Sequence, residues 1–473
     1  MNRRTLLKAL LAAATFGQLP LPALALPAHR EELRAWLRDR IDWQPPARLP
    51  TVIHLFLYGG ASELAGNLTT LDEVRALSER PYPDWLSPGN ADELSPNGFW
   101  RTAGGDLIED MLARQRMSVY RTVWREREDN KSHTISQRQN LVGSLDSEAA
   151  GLGTLFGLLL ELHGLESRAA EELVMPLVSI GGISESFQFA SRQLPEALQP
   201  VVLNARLENL FARRNNYALS GVRGSGAMPD NPADRQLEAL ARRVSPHSDP
   251  VHARLLGLFE RRDRLDALIR ERLAPERLAA VTPVDPDTGS PIAWPQDRYG
   301  FGELLGGAVR LVLANPDTRY VALRANVSWD DHSSALDVYR ERMRSVQQAV
   351  ATAVRHLDLM GRDDVVVNVF TEFGRNLSYN GSAGFDHGNN QVFYTAGGQG
   401  IPGRRLGAIV GRTRVIAPQP GRVFHRPEAG SFHCEPMAIA STVLRYWGVR
   451  NPEVITGFPA IEEQALPDER RVA

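Results

Sequence analysis

What the chain lacks narrows its class. It holds one cysteine, Cys434, in 473 residues. That excludes an internal disulfide and any cysteine-built zinc or iron–sulfur centre. A lone thiol of this kind reads first as a packed, inert side chain. An excess of one charge is also missing: 54 basic residues against 56 acidic ones leave a net charge of −2. No global basic field therefore points to nucleic acid. Lysine is nearly absent, with only Lys8 and Lys131 among the basic residues, which reads as genome base composition rather than phosphate recognition. Beyond the first thirty residues no apolar run reaches the ~20 positions needed to cross a bilayer. Apolar residues at 43% and charged residues at 23% are ordinary for a globular protein. Disorder, collagen-like repeats and coiled coil are thereby excluded as descriptions of the whole.

The first thirty residues read as an address. Asn2-Arg3-Arg4-Thr5-Leu6-Leu7-Lys8 places a twin arginine before an apolar stretch, and Ala23-Leu24-Ala25 is a small-x-small cleavage site. This is the layout of a bacterial export signal, and the arginine pair points to the Tat translocon, with an uncleaved anchor or a plain Sec signal as the alternative. Pro20, Pro22 and Pro27 argue against a spanning helix. The expected organisation is a twin-arginine signal peptide over residues 1–25, then one large domain over 26–473, delivered folded to the periplasm or otherwise exported. No transmembrane span is expected in the mature chain.

Short apolar runs that end in polar chemistry mark the body of the chain. Strands are predicted at 51–58, 117–124, 174–180, 320–327 and 365–370. The first runs into Gly59-Gly60, and the last two end at acids. Helical periodicity spans Ala335 to Leu359, with capping-type Ser333-Ser334 before it. A strand, a helix and a strand of these lengths form a parallel crossover unit. The expected class is α/β, a mostly parallel central sheet flanked by helices. Ligands of such sheets bind beyond the carboxyl ends of the strands. Residues 203–280, rich in Leu, Ala, Arg and Glu, read as a helical insertion.

Three constellations carry candidate chemistry. In Trp329-Asp330-Asp331-His332, a hard carboxylate and an imidazole two positions apart at a strand end suit Zn, Mn or Fe. An N-cap Asp beside a surface His is the plainer reading. In the second, Glu372 ends a strand, Arg375 offers a bidentate fork to an oxyanion, and Asp386-His387-Gly388 sits in a glycine-rich loop. A plain turn is its alternative. The third is Asp129 to Ser136, where Ser132 opens a helix and faces an incoming anion. An ordinary N-cap serine explains it equally well.

Taken in order, the leader, Gly59-Gly60-Ala61-Ser62, Asn130-Lys131-Ser132-His133, Trp329-Asp330-Asp331-His332, Thr371-Glu372-Phe373-Gly374-Arg375 and Asp386-His387-Gly388 resemble domain-of-unknown-function family 1501. That family lies within the alkaline phosphatase and sulfatase superfamily. The resemblance runs from about residue 50 to residue 450. It implies an alkaline-phosphatase-like sheet, a site for one or two divalent ions at the strand carboxyl ends, and a nucleophile on a helix N-terminus. Carried over residue by residue, Asp330, His332, Glu372, Asp386 and His387 match metal ligands, and Ser132 matches the nucleophile. Relatives place an Asp after the first strand, where this chain has Ser62, Glu63 and Ala65, so that metal ligand is either missing or supplied by Glu63.

The leading functional reading is an exported metal-dependent hydrolase of phosphate or sulfate esters, with Ser132 attacking and Arg375 steadying the oxyanion. Its partner would be a small anionic ester or a glycan-type substrate. The alternative is a non-catalytic envelope protein that keeps the fold around a degenerate metal site and binds a partner or glycan.

Overall fold

Every residue from Thr51 to Leu57 is buried, and the strand they form, β1, lies inside the sheet with a parallel neighbour on each side. The computed structural model describes residues 26–463, except 28, 166–167 and most of 204–270, together with residue 466. Among the described residues the sheet also contains β2 (Met117–Trp124), β3 (Leu177–Ile180), β4 (Val201–Leu203), β5 (Tyr320–Arg324), β6 (Val365–Thr371), β7 (Asn390–Gly397) and β8 (Ile409–Val410). Their order is β8-β2-β7-β6-β1-β5-β3-β4. All neighbours are parallel except β7, which runs antiparallel to both β2 and β6. The mostly parallel α/β architecture expected from the sequence is therefore the one observed.

Helices cover both faces. Among those described, α1 (Arg30–Arg40), α2 (Gly105–Ala113), α3 (His133–Val142), α4 (Leu152–His163), α5 (Phe301–Ala314), α6 (Ala335–Leu359) and α7 (Met437–Tyr446) have nine residues or more. Side chains alternate across a strand. Ile53, Leu55 and Leu57 of β1 accordingly pack in one core with α2, α5 and α6. Val52 and Phe56 face the other side, toward α1, α4 and α7. Burial on both faces explains why β1, β5 and β6 read as continuous apolar runs. His54 interrupts this pattern and is held by Tyr320 at 3.1 Å and Asn368 at 3.2 Å.

Two predicted strands are shorter than their apolar runs. The run beginning at Val174 pairs only from Leu177, because Met175 takes a φ of 54°, which is incompatible with an extended strand. The run from Tyr320 leaves the sheet after Arg324 to enter the site loop. Helix α6 has the predicted bounds but not the predicted cap. Ser334 is left-handed and makes no side-chain cap bond. Instead Ser334 N donates to Ser382 O at 3.2 Å, and Ala335 N to Ala383 O at 2.8 Å, so the glycine-rich loop near Ala383 borders the start of the helix.

The expected signal segment 1–25 and most of the expected insertion 203–280 lie outside the described residues; the insertion's end is a helix, Pro275–Ala280. No described helix is long and apolar enough to cross a membrane. Cys434 is buried, and burial pushes its thiol well above the usual range. A separate antiparallel hairpin, Thr413–Gln419 with Arg422–Pro427, lies beside the sheet.

Candidate functional site

Parallel strands send their carboxyl ends to one edge of the sheet, and adjacent strands there lie ~4.8 Å apart. The loops after β1 and β5 interlock. Trp329 N donates to Tyr58 O at 2.8 Å. Gly59 has a φ of +106°, and a Cβ there would lie 2.6 Å from Trp329 N, so only glycine lets the loops cross this closely. The buried Trp329 anchors the turn. Its neighbours diverge: Asp330 meets Arg375 at 2.7 Å, and Asp331 meets Arg342 at 2.6 Å.

The segment after β6 folds against the loop that returns to β7. Arg375 and His387 form an antiparallel bridge, flanked by Gly388 N to Gly374 O at 2.9 Å and Asn376 N to Asp386 O at 2.7 Å. Gly384 crosses His332 so closely that a Cβ would lie 2.1 Å from the His332 carbonyl carbon. These two pairings bring His332, Asp386 and His387 together. The first turn of α3 adds His133.

Three imidazoles surround one carboxylate oxygen. Asp330 Oδ1 lies 3.0 Å from His332 Nε2, 3.4 Å from His133 Nε2 and 3.5 Å from His387 Nε2. His332 Nε2 and His387 Nε2 are 3.2 Å apart. His133, Asp330 and His387 each offer a ligand atom within 4.8 Å of the others. A tetrahedral metal site with bonds of about 2.0–2.1 Å has ligand–ligand edges of about 3.3 Å. The measured separations fall on both sides of that value, so the donor set fits a divalent cation.

The opposite ring nitrogens sharpen this fit. His133 Nδ1 lies 2.5 Å from Glu372 Oε1, His332 Nδ1 3.1 Å from Asp386 Oδ1, and His387 Nδ1 2.9 Å from the Lys131 carbonyl. Carboxylates and carbonyls only accept, so each neutral ring carries its proton on Nδ1 and turns its Nε2 lone pair toward the cluster, where that of His332 also accepts from Arg375 Nη1 at 3.5 Å. Holding a ligating histidine through its second nitrogen is how proteins orient metal-binding imidazoles.

The charges are consistent with that arrangement. Partial burial works against the Asp330 carboxylate, but the hydrogen bond and charge of Arg375 outweigh it and hold its pKa below the ordinary value. Burial raises Glu372, although His133 opposes the shift. Burial, reinforced by Arg375, lowers His387 and favours its neutral form. The site has a dry side and a wet side: the Glu372 and Arg375 side chains are 1% exposed, that of His332 46%.

The residues singled out in the sequence occupy distinct places. Asp330, His332 and His387 present ligand atoms to one point. Glu372 and Asp386 touch the histidines from behind. Arg375 is engaged by the protein itself: Nε donates to Gly60 O at 2.7 Å, Nη1 to Phe385 O at 3.2 Å, and Nη2 to Trp329 O at 2.9 Å and to the Gly59 carbonyl. Ser132 is the exposed N-cap residue of α3 and makes no side-chain cap bond. It is the following residue, His133, that reaches the cluster, and sequence reasoning passed over it in favour of the neighbouring hydroxyl. Glu63 is turned into the interior, where its carboxylate accepts from Arg375 N at 3.0 Å.

The family described as "Protein of unknown function (DUF1501)" matches residues 298–423, a stretch that includes Asp330 to His387 but not Ser132 or His133. No curated protein matches the chain. Among solved structures it is similar to the PsFucS1 sulfatase from Pseudoalteromonas sp., at 12% identity and a TM-score of 0.42, covering 97% of this chain and 81% of that one. The phosphonate monoester hydrolase SpPMH from Silicibacter pomeroyi is 10% identical, with a TM-score of 0.33 and coverages of 89% and 78%. Likeness at this level carries no activity over to this chain.

Proposed function

We propose that this chain is an exported, metal-dependent hydrolase of phosphate or sulfate esters. The observation that supports the reading most is the set of three imidazoles whose Nδ1 atoms are tied to oxygen acceptors while their Nε2 atoms gather at Asp330 Oδ1. His387 and Asp330 would hold the ion, with His133 and His332 on either side of them. A bound Zn, Mn or Fe ion would supply Lewis-acid stabilisation of the ester's developing negative charge.

The chain's own residues take the remaining roles. Glu372 and Asp386 orient histidines. Arg375 locks the loops after β1, β5 and β6 and keeps Asp330 ionised. Ser132 is the nucleophile in this reading, with its hydroxyl free of cap duty, at a helix start whose dipole favours an anion. Lys131 and His133 on either side tie that start to the cluster. The Asn2–Lys8 leader supports export, and replacing Arg3 and Arg4 by lysine should trap the protein in the cytoplasm.

The test is metal analysis of the purified protein together with a panel of phosphate and sulfate esters. The reading expects a bound divalent ion, turnover of one ester class, and a Ser132→Ala variant that keeps metal but not turnover. A metal-loaded protein inert to every ester favours the second reading, a binding protein with a degenerate site. One observation already leans that way: Arg375 sets a fixed positive charge 2.7 Å from Asp330, which disfavours a second cation beside that carboxylate.

A further inference from the structure

The hairpin beside the sheet has two unlike faces. Directly opposite residues of an antiparallel pair share a face. Thr413, Val415, Val423 and His425 form the inner one. It is fastened by Asn67, whose amide contacts Thr413 Oγ1 at 2.6 Å and His425 Nδ1 at 3.3 Å, and by Thr70 on His425 Nε2 at 2.6 Å. On the outer face, Arg414 stands directly opposite Arg426, and both are exposed.

This register is costly as it stands. Opposite side chains have Cβ atoms about 4.5–5.5 Å apart, and like charges there destabilise the pair. Among the described residues neither guanidinium has an ion-pair or hydrogen-bond partner. The acids nearby are engaged elsewhere: Glu428 with Arg412 at 3.0 Å, and Glu126 with His433 at 3.4 Å. The inner-face bonds fix the register, so the two arginines cannot separate by slipping.

Arg426 is also preorganised. Its guanidinium carbon lies 5.1 Å from the centroid of the Trp124 ring, an arrangement that supports the cation through the ring face and leaves N–H groups free at the edge. It borders a cavity of about 390 Å³ that is also lined by Trp124, Ser431, His433 and the two acids Glu126 and Glu428, but not by Arg414. The hairpin is bonded to the segment following Arg375: Asn376 Nδ2 donates to Gly421 O at 2.8 Å, Val423 N to Asn376 Oδ1 at 2.8 Å, and Leu377 N to Val423 O at 2.7 Å.

We propose that Arg414 and Arg426 form a two-guanidinium clamp for a tetrahedral oxyanion, phosphate or sulfate, outside the histidine–aspartate cluster. The oxyanion takes the place of the missing acid: two forks donate to its oxygens, and the like-charge repulsion becomes attraction. The ion can be free in solution or a second anionic group on a larger molecule, and both present the same chemistry to the forks.

The test separates this site from the cluster. Chelator-treated protein is titrated calorimetrically with inorganic phosphate and with inorganic sulfate at constant ionic strength, the latter maintained with chloride. The same titration uses a bisphosphate to distinguish a free ion from a tethered group. Arg414→Gln and Arg426→Gln should each weaken oxyanion binding about tenfold or more, whereas Arg114→Gln, a surface arginine paired with Asp110 at the end of α2, should leave it unchanged. A tighter bisphosphate than phosphate, with the advantage lost in the arginine variants, identifies a tethered group. Thermal melting gives a second readout. In chloride, Arg414→Gln should melt higher than wild type because the repulsion is gone, and phosphate should erase that advantage. Binding that survives in the Arg414→Gln/Arg426→Gln double variant, or that weakens equally in Arg114→Gln, overturns the proposal.

Discussion

Glu372 Oε1 lies 2.5 Å from His133 Nδ1, although 239 positions separate the two residues. The same oxygen accepts from Gly59 N at 2.9 Å, so one carboxylate joins the ends of β1 and β6 to the first turn of α3. The Glu372→Gln substitution keeps an acceptor for His133 but removes the charge that raises the ring's basicity. It is expected to weaken metal affinity about 10–100-fold, read by competition with a chromogenic chelator.

Removal of metal should destabilise the protein. A ligand that binds only the folded state at a thousandfold excess over its dissociation constant adds about 4 kcal/mol. Chelator should therefore lower the melting temperature of the wild type. His387→Ala should melt like chelated wild type, and chelator should change it no further. A His387→Ala variant that retains stoichiometric metal would show that His387 is not a ligand.

Arg375 is expected to matter for stability as much as for the site, because its guanidinium is buried. Arg375→Ala strips the donors from the carbonyls of Gly59, Gly60, Trp329 and Phe385. Each buried acceptor left unpaired costs about 1–3 kcal/mol, so a loss of about 3 kcal/mol or more is expected. Equilibrium denaturation in urea reads it, and a change below 1 kcal/mol would mean that water replaces the guanidinium.

The stability profile should be limited from both sides by buried groups that do not themselves reach the cluster's ligand atoms. Burial pushes the Glu63 carboxyl up to about 8. Its folded pKa lies above the unfolded one, so its contribution is intact below about 4.5 and is lost as pH rises toward 8. Burial holds His54 and His425 down at about 3, and their contribution is lost as pH falls from about 6.5 toward 3. Glu63→Gln should accordingly melt above wild type at pH 8 and level with it at pH 4.5. A difference independent of pH would exclude Glu63 as the alkaline-side group.

Much of this was readable in the residues, for physical reasons. Strands buried on both faces leave a continuous apolar run, and so β1, β5 and β6 stood out. Asn390–Gly397, the antiparallel strand β7, is not among the predicted strands, since it starts with polar Asn390 and Gln391. The acids and histidines after β5 and β6 were legible as a cluster because strand ends converge. Their division of labour was not, since only coordinates show that Glu372 and Asp386 meet ring nitrogens. His133 could have been found from its place one residue inside a predicted helix start, beside a strand end.

The three histidines do not depend equally on side chains for their orientation. His133 relies on Glu372 and His332 on Asp386, so one base change in the gene can release either ring. His387 leans on the main-chain oxygen of Lys131, which every amino acid at position 131 supplies. Mutational drift can therefore unfix His133 and His332 through their partners, while the aim of His387 is insulated from its partner's identity. In a lineage losing this chemistry, His387 should be the last of the three to keep its pose.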